Sequence, residues 1–288
     1  MYIQRVTYPT RGIRSRTAPA CLPAPQLAAT IATLATIVGI GIAALTYRSF
    51  RRRLAEQSAI LNETLPVHSQ WWRDHSKVQG ELLYVAIGDS AAQGIGASVP
   101  NRGYVGLLAD HMRLVTGRTV RVINLSVSGA TVELAVRDQL PRFEKLAPDI
   151  VTVAIGANDI SEWDASVFTV GIRRLFDVLP EHSLVADLPC FHLHHNEVKV
   201  AIANRLLREH AAGRPGALGG LTVVPLHATT KRQGLRSVLT QFANDMFHPN
   251  DRGYRVWAEA FLPSLTADLT QRFSPLDHST TSSVGGRG

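Results

Sequence analysis

Residues 85–94 read VAIGDSAAQG. An apolar, β-branched run ends in Gly-Asp-Ser and is followed at once by small residues. A serine just past a strand end serves as a turn residue, a helix cap or a nucleophile. The rest of the chain decides which, because each role needs different companions. Outward from this stretch the pattern alternates. ELLYVAI (81–87), VRVINLSV (120–127), DIVTVAI (149–155), SLVADLP (183–189) and LTVVPL (221–226) are short apolar runs suited to strands covered on both faces. Between them Tyr104, Leu107, Leu108 and Met112 recur at helical spacing, as do Val198, Ile202 and Leu206. A last helical stretch aligns Tyr254, Trp257, Ala258, Phe261, Leu265 and Leu269 on one face. It follows HPND, where Asn250 or Asp251 can cap the helix start. Strand–helix alternation defines an α/β domain, a parallel sheet with helices on both faces, whose site lies at the carboxyl ends of its strands.

Ser90 stands at such an end, and three other places carry conspicuous polar residues. NLSVSGAT follows the second run, GANDI follows the third, and DMFHPN precedes the last helix. Any one of these is ordinary turn chemistry. Together they supply what acyl transfer from a serine requires. A serine hydroxyl needs a base within hydrogen-bond reach, and His248 is the candidate. The base needs an orienting acceptor, and Asp245 is the candidate. The oxyanion of a tetrahedral intermediate needs preorganised donors, each typically worth about 3–4 kcal/mol of barrier. The N–H groups of Ser90 and Gly129 and the side-chain amide of Asn158 can fill that role, and glycine at 129 lets the loop approach without a side chain.

The blocks GDSAAQG, NLSVSG, GAND and DMFH, in this order over residues 80–270, resemble those of the SGNH, or GDSL-type, hydrolases. The resemblance implies Ser90 as nucleophile and first oxyanion donor, Gly129 and Asn158 as the other donors, His248 as base and Asp245 as its partner. It also implies a flavodoxin-like three-layer sandwich on five parallel strands, in agreement with the five runs. Ala91 replaces the leucine usual in the GDSL motif, and NLSVSG is the loosest of the four matches. No GxSxG elbow occurs, which argues against the other large class of α/β hydrolases.

Other signals are weaker. Gly94-x-Gly96 lacks the full dinucleotide-loop spacing, so no organic cofactor is expected. FHLHH (191–195) has no accompanying HExxH cluster and reads as a loop over the pocket, not as a metal site. Cys190 reads as a small buried residue. Asp89 and Asp159 read as loop-fixing residues. Two cysteines, Cys21 and Cys190, imply no disulfide framework.

The formal net charge of +7 is unevenly placed. Residues 1–77 hold ten Lys/Arg and three Asp/Glu, whereas residues 78–288 hold twenty of each sign. The expected fold is electroneutral, which argues against nucleic-acid binding. Residues 27–47 form twenty-one uncharged positions, long enough as a helix to span about 30 Å of hydrocarbon. Arg5, Arg11, Arg14 and Arg16 precede them, and Arg48, Arg51, Arg52 and Arg53 follow. A cleaved signal peptide is the rival reading, disfavoured by the arginines immediately after the span. The tighter second cluster leans towards a cytoplasmic domain.

The expected organisation is a basic arm (1–26), a transmembrane helix (27–47), a connector (48–77) ending one weak helical face at Pro66, a hydrolase domain (78–273) and a disordered tail (274–288). Trp71 and Trp72 fit either a membrane interface or packing on the domain. The expected activity is ester hydrolysis through an acyl-enzyme on Ser90, His248 and Asp245, on a lipid-derived ester, an acylated sugar or a small ester. An O-acyltransferase with the same residues and a non-catalytic binding domain are the alternatives. Acyl length, acceptor and oligomeric state have no sequence signature.

Overall fold

A computed structural model describes residues 24–213 and 220–273. The chain divides into two compact units, with the boundary between Arg52 and Arg53. Cys21, most of the basic arm and the tail lie outside the described residues.

Helix α1 (Ala24–Glu63) runs without a break through the expected span and the arginines after it. Among the described residues, one stretch, of mean hydropathy 1.3, is long and apolar enough to cross a membrane. By length and composition it fits an anchor or a signal sequence. Leu34, Ile37, Ile40, Ile42 and Leu45 are all exposed. Pro66, expected to end a helix, instead sits in the first turn of α2 (Leu65–His75). There its missing N–H costs nothing, because first-turn amides have no intrahelical acceptor.

The second unit holds five parallel strands, β1 (Leu82–Gly88), β2 (Val120–Asn124), β3 (Ile150–Ala154), β4 (Leu184–Ala186) and β5 (Thr222–Val224). Their order is β2-β1-β3-β4-β5, the flavodoxin-like order. The interleaved helices are α3 (Ser90–Gln93), α4 (Tyr104–Thr116), α5 (Val132–Asp138), α6 (Leu140–Phe143), α7 (Ala165–Val178), α8 (His194–Ala212), α9 (Leu226–Arg232), α10 (Ser237–Thr240) and α11 (Asp251–Arg272). All five expected runs are strands, and β2, β4 and β5 stop short of the apolar residues that follow them. After β2 the Asn124 carboxamide oxygen accepts the Ser126 N–H at 3.1 Å, which bends the chain out of the ladder.

Side chains alternate across β1. Leu82, Tyr84 and Ala86 enter a core with α2, α4 and α11, and Val85 and Ile87 enter a second core with α5, α7 and α8. The result is three layers. The expected face of α11 is buried throughout, from Tyr254 to Leu269. The expected face of α8 is not: Val198 is 52% exposed, and Val200, Ala203, Asn204 and Leu207 face inward instead. Asn204 is polar yet buried because its oxygen accepts the Leu188 N–H at 2.7 Å, a contact that helical periodicity does not encode.

Part of the segment expected as a connector belongs to the core. Trp72 on α2 is 4% exposed, and its indole N–H donates to the Gln93 carbonyl at 3.0 Å. The buried His68 ring also contacts that carbonyl, at 3.1 Å. Trp72 therefore packs on the domain, with Trp71 edge-on beside it.

Candidate active site

β1 ends at Gly88, and the chain turns at once into α3. Asp89 caps that turn, its carboxylate accepting the Ala91 N–H at 2.9 Å. Ser90 is the first residue of the turn, so its own N–H has no acceptor within it. This is the edge where the strand order reverses, the crevice in which open α/β sheets bind ligands.

The Ser90 hydroxyl lies 2.9 Å from His248 Nε2, although 158 residues separate them. His248 Nδ1 lies 2.6 Å from Asp245 Oδ2. The other Asp245 oxygen accepts the N–H groups of Phe247 at 3.0 Å and His248 at 3.1 Å. Burial pushes the Asp245 pKa up, but the hydrogen bonds from His248 and the two amides outweigh it and leave the carboxyl below its usual value. A hydroxyl, an imidazole and a carboxylate in this sequence can pass the hydroxyl proton to the ring as the oxygen attacks an electrophilic carbon.

The His248 loop is held from several sides. Ala243 N–H donates to the His248 carbonyl at 2.8 Å, and Asn250 caps α11 through the N–H groups of Arg252 and Gly253. Asp251 does not cap. Its carboxylate instead accepts the Ser98 N–H at 2.7 Å, the Ser98 hydroxyl at 2.8 Å and Arg102 at 3.0 Å, joining the α3–α4 loop to the α11 start. Gly96 shows how close this approach is. With φ at +92°, any Cβ there would meet the Pro249 carbonyl oxygen at 2.5 Å and His248 Cβ at 3.0 Å. The second glycine of the apparent dinucleotide motif is thus a packing residue for the histidine loop.

Asn158 follows β3. Its amide donates to the Ala130 carbonyl at 2.9 Å and leans on Asp89 at 3.4 Å, which brings it beside the serine turn. Gly129 lies in the β2 loop with φ at +76°, exposed, and with open space where a Cβ would stand. That loop is tied to the serine turn. Val127 N–H donates to the Gly88 carbonyl at 3.2 Å, Gln93 Nε2 to the Ser126 carbonyl at 2.9 Å, and Asn124 Nδ2 to the Ala92 carbonyl at 2.7 Å. Fully buried Gln139 grips both backbone groups of Gly88, at 3.1 and 2.7 Å. Asn124 opens the conspicuous NLSVSGAT block, whereas neither Gln93 nor Gln139 stands out in sequence as a site residue, and Gln139 has no local signal at all.

Two carboxyls beside the site are pushed up by burial, each to about 6. They are Asp89, partly offset by the Ala91 amide and His248, and Asp159, partly offset by the Val132 amide it accepts at 3.1 Å. Asp159 thus holds the α5 start.

The family model for the GDSL-like Lipase/Acylhydrolase family matches residues 86–256, and the chain belongs to that family. Membership makes it a hydrolase of carboxylic esters. It is 25% identical over 234 residues to a GDSL-like esterase of Mycobacterium tuberculosis, covering 75% of this chain and 71% of that protein. Among solved structures, it resembles LAE5, an α/β hydrolase from the metagenome of Lake Arreo, Spain (TM-score 0.52, 23% identity, 67% of this chain and 98% of that one). It also resembles TesA (TM-score 0.53, 18% identity, 65% and 99%). Both show that the fold is shared.

Proposed function

We propose that the protein is a membrane-anchored serine esterase in which Ser90, His248 and Asp245 act as a triad. The observation that carries this reading is the hydrogen-bonded series Ser90–His248–Asp245, at 2.9 and 2.6 Å. Ser90 Oγ attacks the ester carbonyl carbon as its proton passes to His248 Nε2. Asp245 holds the ring by Nδ1 and stabilises the imidazolium. The carbonyl π electrons move onto oxygen, which the N–H groups of Ser90 and Gly129 and the Asn158 amide receive. Collapse expels the alkoxide, which takes the proton from His248 and leaves an acyl-Ser90 ester. Water, deprotonated by His248, repeats the sequence and releases the acid.

The substrate class is a lipid-derived ester. Exposed Val127, Met246 and Phe247, close in sequence to Gly129 and His248, offer apolar surface beside the site. Residues 27–47 keep the enzyme at a bilayer, and the arginine cluster that follows favours a cytoplasmic domain. A carboxyl-terminal reporter fusion tests the side.

Turnover of p-nitrophenyl esters by the full chain in detergent tests the chemistry. Ser90→Ala and His248→Ala each lower kcat by at least about a thousandfold, with circular dichroism unchanged. Activity retained in Ser90→Ala rejects the nucleophile. From acetate to octanoate, kcat/KM rises at least about tenfold if the apolar surface takes the acyl chain, and a falling series rejects a lipid-derived substrate. Product partition in favour of an added alcohol over water points to the acyltransferase.

A further inference from the structure

We infer that Cys190, His192, Glu197 and His227 form a binding site for one zinc-class divalent cation, separate from the Ser90 site. The Cys190 sulfur, a Glu197 carboxylate oxygen and a His227 ring nitrogen all lie within 4.8 Å of one another. His227 Nε2 is 2.9 Å from Glu197 Oε2, and His192 Nδ1 is 3.6 Å from Cys190 Sγ. Zinc bonds of about 2.0–2.3 Å in a tetrahedron put ligand atoms about 3.3–3.6 Å apart. Small side-chain movements therefore close Cys190, Glu197 and His227 around one ion, and a swing of the His192 ring from beside the sulfur supplies the fourth donor.

Three elements contribute. Cys190 and His192 come from the loop after β4, Glu197 from the first turn of α8 and His227 from the first turn of α9. Each of the four residues is held by a second contact, on the side chain for Glu197 and His192 and on the backbone for Cys190 and His227. The Phe191 N–H donates to Glu197 Oε1 at 2.6 Å, leaving Oε2 towards the cluster. Ser237 Oγ is 3.2 Å from His192 Nε2, which turns Nδ1 to the sulfur. The Cys190 N–H donates to Thr230 Oγ1 at 2.9 Å and the His227 N–H to Asp187 at 2.7 Å, fixing both backbones. His192 adopts φ of +59°, uncommon for a residue with a Cβ, and in that conformation its ring faces Cys190.

The charges suit the ion. A thiolate and a carboxylate neutralise a divalent cation, and two neutral imidazoles complete the coordination, so the partly buried site carries no net charge. On binding, the Cys190 thiol proton leaves to solvent, His227 presents a lone pair in place of its hydrogen bond to Glu197, and no electron is transferred. The role is structural: the ion joins the β4 loop, α8 and α9, and through His192 reaches Ser237 on α10, ahead of the segment that carries Asp245 and His248. His194 and His195 of the FHLHH run are exposed on α8 and take no part.

Cobalt(II) titration of the chelator-stripped full chain in detergent tests this directly. One equivalent should bind with thiolate-to-cobalt charge-transfer absorption and be displaced by zinc(II). Cys190→Ser should abolish the band, and His227→Gln should weaken binding at least about tenfold, with circular dichroism unchanged in both. If Cys190→Ser does not fold, His227→Gln alone decides, and unchanged affinity overturns the proposal. It is also overturned by absence of the band in the unsubstituted chain, or by its survival in Cys190→Ser, which would assign the thiolate to Cys21.

Discussion

Asp89 stands immediately before Ser90, buried, with its pKa pushed up to about 6 by desolvation. The folded state therefore holds the Asp89 proton more tightly than the unfolded chain does. The stability this contributes is full below about pH 4 and is lost as pH rises through about 6. At about 1.4 kcal/mol per pH unit, holding the carboxylate charged at pH 7 costs about 3 kcal/mol. Asp89→Asn should thus gain stability relative to the unsubstituted protein between pH 4 and pH 7, by up to that amount, in urea unfolding at each pH. A pH-independent difference would rule out a buried charge at this position. The same substitution places an amide donor against Asn158, so kcat should fall about tenfold while KM holds. Asn158→Ala, which removes a proposed oxyanion donor, should lower kcat by about a hundredfold or more. Tyr104 presents a different case: its buried hydroxyl has no hydrogen-bond partner among the described residues. Tyr104→Phe should raise stability by about 1 kcal/mol, read as a higher Tm.

Among the elements, α2 connects stability to the site. Trp72 is buried in the core with α4 and α11 and binds the Gln93 carbonyl in the turn that Ser90 opens. Trp72→Ala should cost about 3–5 kcal/mol and lower activity with it. A chain beginning at residue 53 should fold, whereas one beginning at 78 should unfold at markedly lower urea. Equal midpoints would show that α2 is dispensable. Gly96 is the matching test for the histidine loop. Gly96→Ala forces a Cβ against Pro249 and His248, and kcat should drop at least about tenfold with the secondary structure retained.

At the scale of the molecule, the apolar helix and the electroneutral fold divide the chain's properties between them. The full chain should sediment with membranes and require detergent, and a chain from residue 53 should stay in the soluble fraction. The five strand runs, the α11 face and the residues gathered at the strand ends were legible in the sequence, because apolar periodicity and turn chemistry are written in neighbouring positions. The inward face of α8, the burial of Trp72 and the clamp of Gln139 on Gly88 were not. Each depends on a partner distant along the chain: Leu188 for Asn204, Gln93 for Trp72, Gly88 for Gln139. The cluster of Cys190, Glu197 and His227 belongs with them, since its members come from separate elements and match no spacing motif. The sequence by itself determined the α/β class, the membrane-length helix and the family, all of which rest on local pattern. Only the tertiary structure decided which polar groups meet, because the β2-β1-β3-β4-β5 order and the docking of α11 bring His248 to Ser90 across 158 residues, and no local pattern encodes a distance of 2.9 Å.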